Sequence, residues 1–174
     1  MTNPTLCIGL PAQVSAGCRV LVLGSMPGVA SLHAAQYYAH PRNRFWPLMS
    51  ALTGINADLA YGDRLQALQS AGVGLWDVIG QCERRGSLDA AIVRGSEVPN
   101  AVADLVGRLP ALAAVACNGA TAHAAFAHYI LPVLGDRATS LAVWSLPSTS
   151  PANAAWPLPR LQVAWQPVAD VLAG

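Results

Sequence analysis

The chain has 174 residues, 53% of them hydrophobic and only 11% charged, with a formal net charge of +1. Such proportions exclude intrinsic disorder, which needs low hydrophobicity and high charge, and a chain this long buries roughly 70% of its unfolded surface in one core. No apolar run approaches the roughly 20 residues that span a bilayer, so no membrane contact is expected; Met1 to Pro11 lack the basic start and apolar stretch of a secretory leader, and a cytoplasmic protein is expected.

Arg19 to Gly24 is a short run of Val and Leu ending in Gly and reads as a buried strand. Ser25 to Arg44 follows, rich in Gly, Pro, His and Tyr; loops that long in compact domains carry function. Phe45 to Leu52 and Asp63 to Gln69 read as helices, and Gly72 to Val78 as a second strand leading into a polar loop, Gly80 to Ser87. Val98 to Leu109 has Val102, Leu105, Val106 and Leu109 at helical spacing, with Pro99 in the first turn. Leu112 to Cys117 is a third strand, after which Asn118-Gly119 opens an alanine-rich helix reaching Ile130. Ser140 to Leu146 is a fourth strand and runs into Pro147-Ser148-Thr149-Ser150-Pro151-Ala152-Asn153. Leu161, Trp165, Val168 and Leu172 mark a last helix, kinked or shortened by Pro167.

Strands alternating with helices imply an α/β fold: a three-layer α/β/α sandwich around a central, mainly parallel four-stranded sheet. Without a repeat or a linker, residues 1–174 read as a single domain, expected to be a monomer. Ligands in such folds bind where strands end. These strands end at Gly24, near Asp77, at Asn118 and at Leu146, so one composite site is expected.

Every basic residue is Arg, and the charge is unevenly spread. Residues 1–57 carry Arg19, Arg42 and Arg44 with no acid, and no acid lies between Arg137 and Ala169. If those segments meet in space they suit a polyanion; otherwise the imbalance is sampling in a chain poor in charge, which composition alone favours. Cys7, Cys18, Cys82 and Cys117 form no C-x-x-C pair and read as reduced thiols. His33, His40, His123 and His128 show no ligand spacing, so neither a metal nor a cofactor is expected.

Two segments carry chemistry. Gly24-Ser25-Met26-Pro27-Gly28 is a turn that either brings backbone N–H groups to an anion or is a plain turn. Tyr37-Tyr38-Ala39-His40-Pro41-Arg42-Asn43-Arg44-Phe45-Trp46 packs aromatics, cations and an amide together, a mixture that suits holding an unstacked base while Arg meets phosphate. Phe45 and Trp46 read as core, Tyr38 and Asn43 as functional, and His40 as ordering its loop. Arg84 and Arg85 read as a solvated or phosphate-facing pair.

Together with the loop from Leu146 to Asn153, these two segments resemble the uracil-DNA glycosylase superfamily, and within it the hypoxanthine (deoxyinosine) DNA glycosylases. The resemblance runs collinearly from about Val20 to Asn153. It implies removal of a deaminated base from DNA by cleavage of its N-glycosidic bond. Relatives commonly carry a water-positioning Asp or Asn in the first loop and a His at the start of the last; this sequence has Ser25-Met26-Pro27 and Leu146-Pro147 there. In the hypoxanthine branch the catalytic amide falls at Asn43, whose carbonyl would orient a water. The resemblance further assigns Tyr38 to stacking on the flipped base, and Ser25, Met26 and Asp77 to binding it. Asp77 reads equally as a buried structural carboxylate.

Arg42, Arg44, Ser148, Thr149, Ser150 and Asn153 are the expected DNA contacts. Asn118 joins them, as a phosphate-binding residue or as an ordinary helix cap. With no Lys to form a Schiff base, the enzyme is expected to be monofunctional and to leave an abasic site. Hypoxanthine is the expected substrate. The alternatives are uracil or another deaminated base, and, from another class, a catalytically silent nucleic-acid or nucleotide binder of the same fold.

Overall fold

The structure, a computed structural model, describes residues 3–174; the sequence reading of the N-terminal segment touches Met1 and Thr2, which lie outside the described residues. In chain order the strands are β1 (Thr5–Ile8), β2 (Val20–Gly24), β3 (Val73–Asp77), β4 (Ile79–Arg84), β5 (Val98–Pro99), β6 (Ala114–Asn118) and β7 (Ala142–Leu146). The helices are α1 (Val29–Ala34), α2 (Phe45–Thr53), α3 (Tyr61–Ser70), α4 (Val102–Gly107), α5 (Ala120–Ala125), α6 (Arg137–Ser140), α7 (Leu158–Ala164) and α8 (Gln166–Ala173). No described helix is long and apolar enough to cross a membrane.

Strands β3-β2-β6-β7 form the central sheet in that order, and all of its pairs are parallel. Such strands are apolar throughout because both faces are covered. Leu21, Leu23, Val115 and Cys117 face one layer, built on Val102, Leu105 and Val106 of α4 and on Phe126 and Ile130 beyond α5. Val20, Val22, Ala114 and Ala116 face the other, built on Phe45, Leu48 and Met49 of α2, Leu161 of α7 and Val168 of α8. The result is the expected three-layer sandwich. This sheet starts at β2, adds β3 on one side and then places β6 on the other. The strand order therefore reverses between β2 and β6, and Gly24 and Asn118 stand at the carboxyl ends that flank this switch point.

A second sheet, β1-β4-β5, is antiparallel. Its central strand falls where a polar loop was expected. Gln81-Cys82-Glu83-Arg84 alternates buried and outward positions, but with one thiol and one guanidinium as its inward groups it carries no hydrophobic signature. Cys7 lies directly opposite Cys82, which anchors the N-terminal segment. Three other boundaries move. Val98-Pro99 pairs with β4, so the helix that follows starts at Val102; Ser140 closes α6 instead of opening β7; and the alanine-rich helix widens beyond Ala125 into a π-helical turn, Phe126–Ile130. Pro167 ends up in the first turn of α8, where its missing N–H costs nothing, and the expected last helix is split at Trp165.

Candidate active site

A cleft of about 740 Å³ opens where the four parallel strands end, a size suited to a ligand larger than a single base. Its walls are the Gly24–Gly28 turn, the Tyr37–Asn43 loop, Ser87 to Ala90, and the Pro147–Asn153 loop, with Asp77 and Asn118 on the floor. The two acid-free segments of the sequence do meet here. They share the cleft with two carboxyls from the acidic middle of the chain, Asp77 and Asp89.

Asn43 sits at the start of α2, whose first N–H groups lack helical partners. Its Oδ1 accepts the Phe45 N–H at 3.0 Å and the Thr149 hydroxyl at 2.9 Å. Thr149 is fully buried; its hydroxyl accepts from Asn118 Nδ2 at 3.0 Å and its N–H donates to Asn118 Oδ1 at 3.0 Å. This chain, Asn118 to Thr149 to Asn43, joins residues from three ends of the fold. It also revises the expected chemistry: both lone pairs of the Asn43 carbonyl are engaged, so the carbonyl is not the group that meets water, and the Nδ2 amide group is the one left for the cleft.

Tyr38 holds a left-handed backbone with φ 54°, uncommon for a residue other than glycine and typical of positions held by function or packing. Its ring stacks on Phe45 with centroids 4.0 Å apart and planes 24° apart. The phenol oxygen points toward the floor near Asp77 and Asn118 and has no hydrogen bond of good geometry. Burial, and then the Asp77 carboxyl, push the phenol well above its ordinary pKa, so it stays neutral.

Asp77 ends β3 beside Gly24, and only glycine fits there: a Cβ on residue 24 would overlap Asp77 Oδ1. Asn100 Nδ2 holds the Asp77 carbonyl at 2.8 Å, while Asp77 Oδ2 is buried without a partner. Burial pushes this carboxyl up to about 7; Asp89 adds to the rise and Arg84 opposes it. Asp89 accepts the Ser25 hydroxyl at 2.7 Å and is itself raised by burial, with Ser25 and Arg84 opposing.

The geometry has relatives. The profile of the uracil DNA glycosylase superfamily matches residues 11–171. Two proteins named hypoxanthine DNA glycosylase, from Methanosarcina acetivorans and Methanosarcina barkeri, are 38% and 37% identical to this chain over 112 residues, 64% of this chain and 70% of each relative. A solution NMR structure of a candidate uracil DNA glycosylase from Methanosarcina acetivorans superposes with a TM-score of 0.81 at 32% identity, over 98% of this chain and 100% of that one. The chain belongs to the uracil DNA glycosylase superfamily.

Within that superfamily fold, Asn43, Tyr38, Ser25, Met26 and Asp77 all line one cleft, together with Asn118, Ser148, Thr149, Ser150 and Asn153. Met26 differs in detail, because it is buried against Ile79 and Cys82. Four expected DNA contacts do other work. Arg44 donates to the carbonyls of Ser150, Asn153 (3.0 Å) and Trp156, so its guanidinium orders the last loop instead of meeting phosphate. Asn118 neither caps α5 nor faces solvent; the cap position falls to Gly119 and the amide clamps Thr149. Thr149 is buried in that clamp, and Asn153 braces the Ser148 carbonyl at 2.9 Å.

Ser148 and Ser150 accept backbone N–H groups from Ser150 and Ala152, which leaves their hydroxyl protons to donate. Arg42 is exposed, as a phosphate contact requires, and its N–H caps His40 Nδ1 at 3.1 Å, the loop-ordering role expected of His40. Arg84 and Arg85 are not a pair: Arg85 is exposed, whereas Arg84 is fully buried and donates to the Pro27 carbonyl under the first turn. The sequence reading misplaced Arg84 and missed Ser87 and Asp89. Only Asp89 carried a visible signal, as an acid at the end of a Gly-Ser-Leu turn. Among the described residues, no cluster of His, Cys, Asp and Glu has metal-holding geometry.

Proposed function

We propose that the protein is a monofunctional DNA glycosylase that flips hypoxanthine out of DNA and hydrolyses its N-glycosidic bond, leaving an abasic site. The reading is carried by one observation: an oriented amide, an aromatic face and a buried carboxyl converge on a single cleft at the switch point. Superfamily membership and the hypoxanthine-glycosylase names of the two relatives support it.

A base inside a duplex is out of reach, and flipping it costs a few kcal/mol. Stacking on the face of Tyr38 opposite Phe45 returns roughly 1–3 kcal/mol of that. Hypoxanthine carries a hydrogen at N1, where adenine carries a lone pair; ionised Asp77 accepts from the first and repels the second. Uracil offers a similar N–H beside a carbonyl, which makes it the second substrate to test.

Bond cleavage sends the bonding pair to the base and leaves positive charge on the sugar. Departure leads and water follows: as water adds to the sugar carbon, its proton passes to the departing base, with Asp77, pushed up to about 7, as the other acceptor in the cleft. The Gly24–Gly28 turn lines the cleft, and its backbone N–H groups are the donors we assign to the oxygen of the departing base, where charge develops. The Asn43 amide donates to one lone pair of a water and leaves the other aimed at the sugar carbon. The contribution is placement, and misplacing a reactant by about 1 Å costs on the order of 100-fold.

Matched oligonucleotides bearing deoxyinosine, deoxyuridine or a G·T mismatch test the reading under single turnover, with alkali added to reveal abasic sites. Deoxyinosine strands should break only after alkali, and Asn43→Ala should slow the reaction by about 100-fold. Breakage without alkali would overturn the monofunctional assignment. A folded protein that retains deoxyinosine DNA and cleaves nothing would be a silent binder.

A further inference from the structure

Among the described residues, Arg84 is the only buried cation, with none of its surface exposed. Taking a guanidinium out of water is costly unless its charge and its donors are used. One donor goes to the Pro27 carbonyl, while Nε and Nη1 have no hydrogen-bond partner, so hydrogen bonding alone does not account for the burial. The residue is delivered from a strand rather than a loop. Thr5 pairs with it from β1, and Ile92 bridges it as well.

The first turn is shaped by what its carbonyls meet. The Gly24 carbonyl accepts the Val78 N–H at 2.9 Å, the Ser25 carbonyl accepts the Ile79 N–H at 3.0 Å, and the Pro27 carbonyl accepts Arg84. In a planar trans peptide the C=O of one residue and the N–H of the next point in opposite directions. Carbonyls drawn toward the β3–β4 side therefore turn the N–H groups of Ser25, Met26 and Gly28 away from it, and all three residues line the cleft. Two of these anchors are backbone. The third is the Arg84 side chain.

The same guanidinium faces the carboxyls of the cleft. Around Asp77 stand the phenols of Tyr37 and Tyr38, kept neutral by burial, the Asp89 carboxyl, and Arg84 as the cation of the set. Arg84 acts on Asp89 too. One guanidinium against two carboxyls balances one and leaves the other as the net negative charge of the site. We infer that Arg84 is a positioning residue for base excision: it holds the first turn by its carbonyl side, so that the turn's N–H groups point into the cleft, and its charge keeps Asp77 available as an acceptor. The inference rests on the glycosylase reading, which supplies the leaving base.

Substitutions at this position separate the two contributions. Arg84→Lys keeps the charge, Arg84→Gln keeps a donor without charge, and Arg84→Met keeps neither; Arg108→Gln, which removes an exposed charge away from the cleft, is the control. The readout is kcat/KM on deoxyinosine DNA against pH, whose rise through about 7 tracks Asp77. That rise should move up by about one pH unit in Arg84→Gln and Arg84→Met, and stay in place in Arg84→Lys and Arg108→Gln. On the plateau above it, Arg84→Met should remain about tenfold slow, with Arg84→Gln within about threefold of wild type. A merely structural role would lower Tm and rate without moving the rise. The role of Arg84 is overturned by a rise that stays in place in the neutral variants, by one that moves equally in Arg84→Lys, or by an Arg84→Met plateau equal to wild type. Should Arg84→Met fail to fold, the Lys and Gln variants decide by the position of the rise. The Asp77 carboxyl can also be titrated without substrate, by carbon NMR of wild type and Arg84→Gln. An upward shift in a protein that excises nothing refutes the glycosylase reading alone; excision with an unmoved titration refutes the role of Arg84 alone.

Discussion

Replacing Asp77 by Asn should stabilise the protein while disabling it. The carboxyl is buried, one oxygen has no partner, and its pKa rises from 3.8 to about 7. Below about pH 4 both folded and unfolded chains carry the proton and nothing is lost; between about 4 and 7 only the unfolded chain ionises, so folding grows less favourable with each step in pH. At about 1.4 kcal/mol per decade of proton affinity, the penalty levels off near 4 kcal/mol above neutrality. An asparagine amide must also be desolvated there, so roughly half of this is recovered, about 2 kcal/mol, or ~4–8 °C in Tm for a chain this size. Melting of both proteins at about pH 5.5 and pH 8.5 should show the gap widening with pH. A gap that is independent of pH, or a less stable Asp77→Asn at the higher pH, would refute the reasoning.

The same group should shape the kinetics. kcat/KM reports the free enzyme, so on deoxyinosine it should rise with pH through about 7 as Asp77 ionises, and that limb should vanish in Asp77→Asn; a limb surviving the substitution would assign it elsewhere. Thr149→Val keeps the shape of the buried side chain but strips Asn43 of one donor and Asn118 of its acceptor. It should cost about 1–3 kcal/mol of stability and lower the single-turnover rate about tenfold or more, whereas Thr149→Ser should keep both near wild type. Gly24→Ala forces its Cβ against Asp77 Oδ1; excision should fall sharply with the fold retained, as read by activity beside circular dichroism.

The strands of the central sheet were legible because parallel strands buried on both faces are continuous apolar runs. Strand β4 was not, since its inward positions are Cys82 and Arg84. The cleft-lining role of Tyr38 and Asn43 was readable from local composition, because both lie within a few residues of each other. Their orientation was not. Thr149 reaches Asn43 across 106 positions, and nothing in Pro-Ser-Thr-Ser-Pro distinguishes the buried hydroxyl from its two exposed-side neighbours. Arg44 and Arg84 were misread for a shared reason: an arginine among polar residues looks solvated, while its five donors can equally be spent on carbonyls left open by irregular loops. Asp77 remained ambiguous in sequence because a raised pKa arises from what surrounds it in space.

Arg44 has a mechanical consequence. Its N–H donates to the Thr149 carbonyl at 3.0 Å, and its guanidinium spans the carbonyls of Ser150, Asn153 and Trp156. The root of α2 and the last loop are thereby riveted into one body, with Asn43 fixed to it. Asn43 and the last loop therefore keep their places relative to each other, and a change that frees the Arg44 guanidinium would displace both together.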